Sequence, residues 1–228
     1  MSSKKVIVAL DVENFNRITK IVRVLKNEVF AFKIGYEFFF NFGIEGYKKI
    51  KKICPNIFLD LKLHDIPNTV QKGIKAINSL GPILTTVHIS GGSDMLKASI
   101  INKKNTKILG VSILTSLNSK QTKKYYNEVD IKKLVKKFVI EAKKYKLDGI
   151  VCSPKEIKLV RNALGKNFII VTPGIRLDKS KKFQDDQKRI LTPSEAINNG
   201  ANYLVIGRPI LNSKNPLKTI KEINESLS

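Results

Sequence analysis

The sequence predicts an α/β fold, a closed (β/α)8 (TIM) barrel formed by a single domain over residues 1–228. Eight short apolar runs alternate with amphipathic helical stretches, and five of the seven intervals between run starts are 19–28 residues. An interval of that length fits one strand followed by one helix. Because strict alternation produces a parallel sheet with helices outside it, eight such units indicate a closed barrel.

The predicted strands are rich in apolar and β-branched residues, as expected of strands that are buried on both faces. They are Lys5–Leu10, Ala31–Ile34, Ile57–Leu63, Thr85–Ile89, Lys107–Ser112, Gly149–Cys152, Phe168–Thr172 and Tyr203–Ile206. An open, doubly wound sheet is the alternative fold. Its dinucleotide fingerprint, G-x-G-x-x-G after the first strand, is absent, because that position holds Leu10-Asp11-Val12-Glu13.

The predicted helices carry apolar residues on one face at helical spacing. The clearest are Asn14–Lys26, Ile66–Leu80, Ile131–Tyr145 and Pro216–Leu227. Proline is favoured in the first turn of a helix, where its missing N–H has no intrahelical acceptor. On this basis helix starts are predicted at Pro67, Pro154, Pro193 and Pro216.

Composition excludes several classes of protein. The only two cysteines, Cys54 and Cys152, lie far apart in the sequence, so a disulfide scaffold is excluded and free thiols are expected. No apolar stretch approaches the ~20 residues of a membrane span. The first apolar run, Val6–Leu10, is too short for a signal peptide and suits a buried strand. We therefore expect a soluble, cytoplasmic protein with no membrane partner.

The net charge of +23, from 42 Lys and Arg against 19 Asp and Glu, raises the question of nucleic-acid binding. Only six of these cations are arginine, the residue that base and phosphate recognition favours for its bidentate geometry. The lysines are spread as pairs along the predicted helices, which indicates solvated outer faces. No specific nucleic-acid partner is predicted, although the positive field would attract a small anionic ligand.

Charged residues collect where the predicted strands end, which is the face of a barrel that carries its chemistry. Asp60 and Lys62 are two residues apart on the third strand, so their side chains share the face that points into the barrel mouth. Lys33 lies on the second strand, Asp11 follows the first, and Asp65 follows the third. An ion-pair network is one explanation, but two inward lysines among several carboxylates exceed what stability requires, which favours catalysis.

An anion site is predicted after the last strands. Gly207 and Arg208 follow the eighth strand, at the usual phosphate position of such barrels, and Pro209 opens a short helix. Arg176 follows the seventh strand, and both arginines offer a bidentate fork. The polar segment Arg176–Arg189 is long for a compact barrel, so it predicts a lid, with disorder as the alternative.

Other titratable residues carry weaker signals. His64 is expected outside the mouth, and His88 is either a hydrogen-bonded core residue or part of the mouth. No set of His, Cys and Asp residues has the spacing of a structural metal site, and no P-loop, H-E-x-x-H or G-x-S-x-G motif is present. The sequence predicts no metal site.

One segment, Phe58–Thr69, has the sequence FLDLKLHDIPNT and matches the D-x-K-x-x-D-I-P-N-T signature of orotidine 5′-phosphate decarboxylases. Further matching motifs follow the order expected for that family. They are Ala9-Leu10-Asp11, Phe32-Lys33-Ile34-Gly35, Val87-His88-Ile89-Ser90-Gly91-Gly92, Leu114-Thr115-Ser116, Thr172-Pro173-Gly174-Ile175-Arg176, Asp186-Gln187-Lys188-Arg189 and Val205-Ile206-Gly207-Arg208-Pro209-Ile210. Over essentially its whole length, the chain resembles this family.

The resemblance implies conversion of orotidine 5′-phosphate to uridine 5′-phosphate and CO2, the last step of de novo UMP synthesis. It implies a homodimer with shared active sites and neither metal nor organic cofactor. Lys62 would donate the proton and Asp60 would lie beside the substrate carboxylate, with Lys33 and Asp65 completing the charge array.

The resemblance also implies how the substrate is held. The ribose hydroxyls would be bound by Asp11 and Lys33, and the base would be lined by Thr115 and Pro173. The phosphate would be bound by Arg176, Gln187, Gly207 and Arg208. The residues that would reach into the neighbouring subunit's site are Asp65, Ile66 and Thr69.

Related barrels that share D-x-K-x-x-D are the alternative, namely sugar-phosphate decarboxylases and hexulose-phosphate synthases, which need a divalent metal. Lys33 on the second strand and the segment Ile66-Pro67-Asn68-Thr69 favour the orotidylate enzyme over these.

Overall fold

The computed structural model describes residues 4–177 and 191–227. Eight parallel strands form a closed barrel in which each strand pairs with the next and the eighth pairs with the first. The strands are β1 (Val6–Ala9), β2 (Ala31–Ile34), β3 (Ile57–Leu63), β4 (Leu84–His88), β5 (Lys107–Val111), β6 (Gly149–Val151), β7 (Ile169–Thr172) and β8 (Tyr203–Ile206). This closure confirms the predicted (β/α)8 TIM barrel and excludes the open sheet.

Helices cover the outside of the barrel between the strands. They are α1 (Phe15–Leu25), α2 (Tyr36–Ile53), α3 (Pro67–Leu80), α4 (Gly92–Ile101), α5 (Ser119–Tyr126), α6 (Ile131–Lys144), α7 (Ile157–Leu164), α8 (Pro193–Asn198), α9 (Arg208–Leu211) and α10 (Pro216–Glu225). Pro67, Pro193 and Pro216 stand in first helical turns as predicted, and Pro154 opens a 3-10 turn that leads into α7. Among the described helices, none is both long and apolar enough to cross a bilayer.

The core has two layers, one between the strands and the helices and one inside the barrel. The inner layer is formed by Ile7, Ala31, Phe58, Leu84, Leu109 and Val171. Below it, where β2 and β8 begin, the rings of Phe30 and Tyr203 stack with centroids 3.8 Å apart. Apolar side chains therefore fill the base of the barrel, and the polar residues lie at the carboxyl ends of the strands.

Helix α2 bends at Gly43, whose backbone has φ +57°. Phe38, on the inner face of α2, is fully buried and packs against Phe42 and against Phe15 of α1. Tyr36 and Phe40 lie on the outer face, stacked on each other with centroids 5.7 Å apart, and Phe40 is 79% exposed. An aromatic surface therefore lies beside the barrel mouth.

Strand β3 is irregular where it approaches the mouth. Leu59 pairs with Thr85 and Leu63 pairs with Val87, so four steps along β3 correspond to two steps along β4. Within this bulge Lys62 has φ +43°, a left-handed conformation that costs a non-glycine residue roughly 1–2 kcal/mol. Backbone strain at this position indicates that the surroundings hold Lys62 in place.

Candidate active site

A cavity of about 290 Å³ opens at the carboxyl ends of the strands. This is close to the lower end of the ~300–1,000 Å³ range of small-molecule sites. Nine of the residues predicted to act or bind line it together: Asp11, Lys33, Asp60, Lys62, Thr115, Pro173, Arg176, Gly207 and Arg208. Because they come from the ends of six strands, only the closed barrel brings them to one cavity.

A continuous row of charges crosses the cavity. The Nζ of Lys33 lies 3.3 Å from Asp11 Oδ1 and 3.9 Å from Asp60 Oδ2, and the Nζ of Lys62 lies 2.7 Å from the same Asp60 oxygen. The Asp60 side chain is 9% exposed and that of Lys33 is 13% exposed. Since burying a charge is costly unless it is paired, each buried charge in the row offsets the desolvation of its neighbour.

The electrostatics of Asp60 reflect two opposing effects. Burial raises the pKa of this carboxyl, whereas the positive charges of Lys33 and Lys62 and hydrogen bonds from Lys62 and Thr86 lower it, with a net lowering. Asp60 is therefore ionised at neutral pH, and its negative charge pairs with the ammonium of Lys62. Among the described residues, no group of three or more His, Cys, Asp or Glu side chains is arranged to hold a metal ion.

Neighbouring residues fix the position of Lys62. The Thr86 hydroxyl accepts a hydrogen bond from the Lys62 backbone N–H at 2.9 Å and donates one to Asp60 Oδ1 at 2.8 Å. The Lys62 Nζ lies 6.0 Å from the centre of the Tyr36 ring, and the Tyr36 hydroxyl donates to the carbonyl of Leu61 at 3.0 Å. These contacts direct the Lys62 ammonium into the cavity.

Two glycines lie next to the charged row, and one of them makes room for it. A Cβ on Gly35 would lie 2.8 Å from the Nζ of Lys33, so a side chain there would displace that ammonium. A Cβ on Gly207 would lie 3.4 Å from the Cβ of Ala9 on β1, an ordinary van der Waals distance, so this contact does not by itself require glycine.

The predicted phosphate side of the cavity is partly described. Arg176 is half-buried, and its backbone N–H donates to the carbonyl of Leu191 at 3.0 Å, beside a bridge that pairs Ile175 with Leu191. Arg208 begins α9 and is exposed at the rim. Gln187 and most of the predicted lid segment lie outside the described residues.

Three predicted site residues do not line the cavity of their own chain. Asp65, Ile66 and Thr69 lie at the start of α3 and are exposed, with Ile66 66% accessible. The Asp65 Oδ1 accepts a hydrogen bond from the Ile66 N–H at 2.6 Å. They stand on the rim, next to the end of β3.

Two histidines lie behind the charged row. The rings of His64 and His88 stack with centroids 5.1 Å apart, and His64 is exposed and does not line the cavity. Burial, together with the charges of His64 and Lys62, lowers the pKa of His88 to about 4. His88 is therefore neutral near pH 7.

Sequence reasoning missed two residues of the site. Thr86 is completely buried, and the signal was a pair of threonines in a core strand, each of which needs a hydrogen-bond partner. Cys152, expected to be a core thiol, is buried but also lines the cavity. Burial, with a smaller contribution from the charge of Glu156, raises the pKa of Cys152, which keeps the thiol protonated.

Comparison with known proteins agrees with this geometry. A family model described as Orotidine 5′-phosphate decarboxylase / HUMPS family matches residues 4–223. A Wolbachia pipientis (subsp. Culex pipiens, strain wPip) protein named orotidine 5′-phosphate decarboxylase is 43% identical over 225 residues, covering 98% of each sequence. One of the same name from Staphylococcus haemolyticus is 41% identical, covering 96% of each. The crystal structure of orotidine 5′-phosphate decarboxylase from Lactobacillus acidophilus superimposes with a TM-score of 0.84 at 35% identity, covering 99% of each chain.

Proposed function

Because the chain belongs to the orotidine 5′-phosphate decarboxylase / HUMPS family, we propose that it converts orotidine 5′-phosphate to uridine 5′-phosphate and CO2, the final step of UMP biosynthesis. The observation that carries this proposal is the ammonium of Lys62, held 2.7 Å from the buried carboxylate of Asp60 inside the cavity.

In the proposed reaction, the negative charge that develops on C6 of the substrate has to be stabilised electrostatically. When the bond between C6 and the carboxylate breaks, CO2 leaves and the electron pair stays on C6 in the plane of the ring, where the π-system cannot delocalise it. A fixed ammonium stabilises that charge and then transfers one proton to C6. Lys62 fills this role, with Asp60 beside the substrate carboxylate and Lys33 next to it, and water then reprotonates the amine.

The other residues of the cavity bind parts of the substrate that lie away from the bond that breaks. Asp11 and Lys33 bind the ribose hydroxyls, and Thr115 and Pro173 line the base. The proposed phosphate ligands are Arg176, Gln187, Gly207 and Arg208. Binding the phosphate far from C6 supplies energy for positioning the reacting atoms.

The proposed chemistry uses no metal and no organic cofactor. The Lys33 ammonium occupies the space between Asp11 and Asp60, at 3.3 and 3.9 Å, and so supplies the positive charge that these carboxylates require. We propose the cytoplasm as the location, because Cys54 and Cys152 are buried free thiols, the usual state in a reducing compartment.

We also propose a homodimer with shared active sites. Asp65, Ile66 and Thr69 stand exposed on the rim after β3. Tyr36, whose ring stacks on that of the exposed Phe40, donates to the carbonyl of Leu61 on this same strand. In the dimer the three rim residues would complete the partner's cavity, with Asp65 as the fourth member of its charge array.

Mixing two inactive variants tests the shared site. Lys62→Ala and Asp65→Ala proteins, unfolded together and refolded, should regain activity, because one of the two sites in each mixed dimer then has both residues intact. The matched control mixes Lys62→Ala with Lys33→Ala, which come from the same chain of each site and should not recover. Equal recovery in both mixtures, or in neither, contradicts the shared site.

The activity itself is tested by adding orotidine 5′-phosphate to the purified protein and following the loss of its absorbance, with and without a chelator. Turnover that the chelator does not change is the expected result. Absence of turnover would overturn the proposed function, and turnover that the chelator abolishes would overturn its metal-free mechanism.

A further inference from the structure

Thr86 connects the two central residues of the site without lining the cavity. Its hydroxyl is fully buried, donates to Asp60 Oδ1 at 2.8 Å and accepts from the Lys62 N–H at 2.9 Å. One hydroxyl can do both, because it has one donor and two acceptor lone pairs. The remaining oxygen of Asp60, Oδ2, is left to face the ammonium groups of Lys62 and Lys33.

The bulge in β3 explains why the Lys62 N–H needs a side-chain acceptor from β4. Between Leu59 and Leu63 the strand slips by two residues against β4, so the backbone of Lys62 departs from the regular ladder. The Thr86 hydroxyl gives the Lys62 N–H an acceptor there, where Lys62 also has φ +43°. A buried N–H without an acceptor would cost free energy, so the hydroxyl stabilises the bulge.

We infer that Thr86 is a positioning residue for the decarboxylation, because its hydroxyl fixes both the rotamer of Asp60 and the backbone turn that aims the Lys62 ammonium. This inference rests on the proposed function. Thr86 touches neither the cavity nor, in consequence, the substrate, so it acts only through the two residues that it connects.

The chain provides a matched control in the preceding residue. Thr85 is also fully buried on β4, and its hydroxyl donates to the carbonyl of Leu59 on the same neighbouring strand at 2.9 Å. Thr→Val at either position removes one buried hydroxyl and keeps the shape. Thr86→Val should lose more stability than Thr85→Val, because it removes two hydrogen bonds instead of one, and only the change at Thr86 should alter the site.

The kinetic test compares Thr86→Val, Thr86→Ser and Thr85→Val with the unmodified protein. Displacement of a reacting group by about 1 Å costs roughly 10²-fold in rate, so we expect Thr86→Val to lower kcat by about that factor with little change in KM or in affinity for uridine 5′-phosphate. Thr86→Ser keeps the hydroxyl and should stay near the rate of the unmodified protein, as should Thr85→Val.

Two measurements do not require turnover. In Thr86→Val, hydrogen exchange at the Lys62 amide should become faster, and the Asp60 carboxyl, followed by 13C NMR, should titrate at higher pH. The charged or titratable groups that surround Asp60 are unchanged in this variant: Lys33 on β2, with Asp11 beyond it, Lys62 on β3, and His88 on β4. In Thr86→Ser, which keeps the hydroxyl, the Lys62 amide exchange and the Asp60 titration should match those of the unmodified protein.

The outcomes separate this inference from the proposed function. If the unmodified protein does not decarboxylate orotidine 5′-phosphate, the proposed function fails, and the exchange and titration data still decide whether Thr86 positions the pair. If Thr86→Val matches Thr85→Val in kcat, amide exchange and carboxyl titration, Thr86 is an ordinary core residue and the inference is wrong.

Discussion

Lys62 is the residue on which the proposed chemistry depends most directly. Replacing it by alanine removes both the cation that stabilises the developing charge and the proton donor. We expect Lys62→Ala to lower kcat by at least about 10⁴-fold, while affinity for uridine 5′-phosphate, which depends mainly on the phosphate ligands, changes little. Single-turnover kinetics and calorimetric titration measure the two effects separately.

The exposed Lys97, paired with Asp94 at 3.1 Å on α4, is a suitable control for the loss of one lysine charge. Lys97→Ala should retain normal kcat. A kcat for Lys62→Ala within tenfold of the unmodified protein would remove Lys62 from the mechanism.

His88 should make stability depend on pH. Its pKa in the folded protein is about 4, against the ordinary 6.5, chiefly because it is buried. Between these values the unfolded chain binds more protons, so the free energy of unfolding should fall as the pH decreases from 6.5 to 4. After a reduction for its partial exposure, the loss is about 1–3 kcal/mol.

Urea unfolding of the unmodified protein and of His88→Asn from pH 4 to pH 8 measures this effect. Below pH 6.5 the free energy of unfolding of the asparagine variant should depend less on pH than that of the unmodified protein. Above pH 7, where His88 is neutral in both states, the two free energies should change with pH in the same way. Equal slopes below pH 6.5 would show that His88 titrates normally.

At the residue scale, the alternation of side chains along a strand was enough to predict that Asp60 and Lys62 share one face. The position of Lys62 within a bulge was not predictable in this way, because it depends on how β3 pairs with β4. Thr86 was missed for the same reason, since its partners lie 24 and 26 positions away in the sequence.

At the scale of one element, the end of α3 contributes stability independently of catalysis. Gly81 ends this helix with φ +64°, and a Cβ there would lie 2.7 Å from the Nζ of Lys51. That ammonium donates to the carbonyls of Leu80 and Gly81, so moving it would lose both hydrogen bonds. Gly81→Ala should therefore lower the free energy of unfolding by more than backbone strain alone, about 2–3 kcal/mol in total.

The Lys51→Met background isolates the strain, because it lacks the ammonium that a Cβ on residue 81 would meet. In that background Gly81→Ala should cost only about 1–2 kcal/mol. Chemical denaturation measures both variants, and kcat should be unchanged in each. Equal losses would mean that the Lys51 contacts do not stabilise the helix end.

Element boundaries were largely predictable. The eight predicted strands agree with the observed ones to within one residue at each end, because apolar runs flanked by polar residues mark buried parallel strands clearly. The bend of α2 at Gly43 was not predicted, since glycine within a helical pattern does not by itself specify a left-handed backbone.

At the scale of the whole molecule, the net charge of +23 should speed substrate capture. The Debye length falls from ~30 Å at 0.01 M to ~10 Å at 0.1 M ionic strength, so the attraction of a nucleotide phosphate weakens. We expect kcat/KM for orotidine 5′-phosphate to fall by about 3- to 10-fold over this range, with kcat unchanged.

Initial rates in sodium chloride and in sodium acetate at equal ionic strength measure this dependence. Screening predicts the same decrease in both salts, whereas competition by a bound anion predicts a difference between them. A kcat/KM that does not change with salt would mean that the lysine-rich surface plays no part in substrate capture.

The stacked rings of Phe30 and Tyr203 and the apolar layer above them seal one end of the barrel. Within residues 4–177 and 191–227, the cavity opens at the carboxyl ends of the strands, and the exposed Arg208 lies at this opening. In the proposed reaction, orotidine 5′-phosphate enters and both CO2 and uridine 5′-phosphate leave through this opening. These steps must therefore occur one after another. An anion bound tightly at Arg208 would therefore block the whole reaction cycle. It would block even the release of CO2, which does not itself depend on the phosphate ligands.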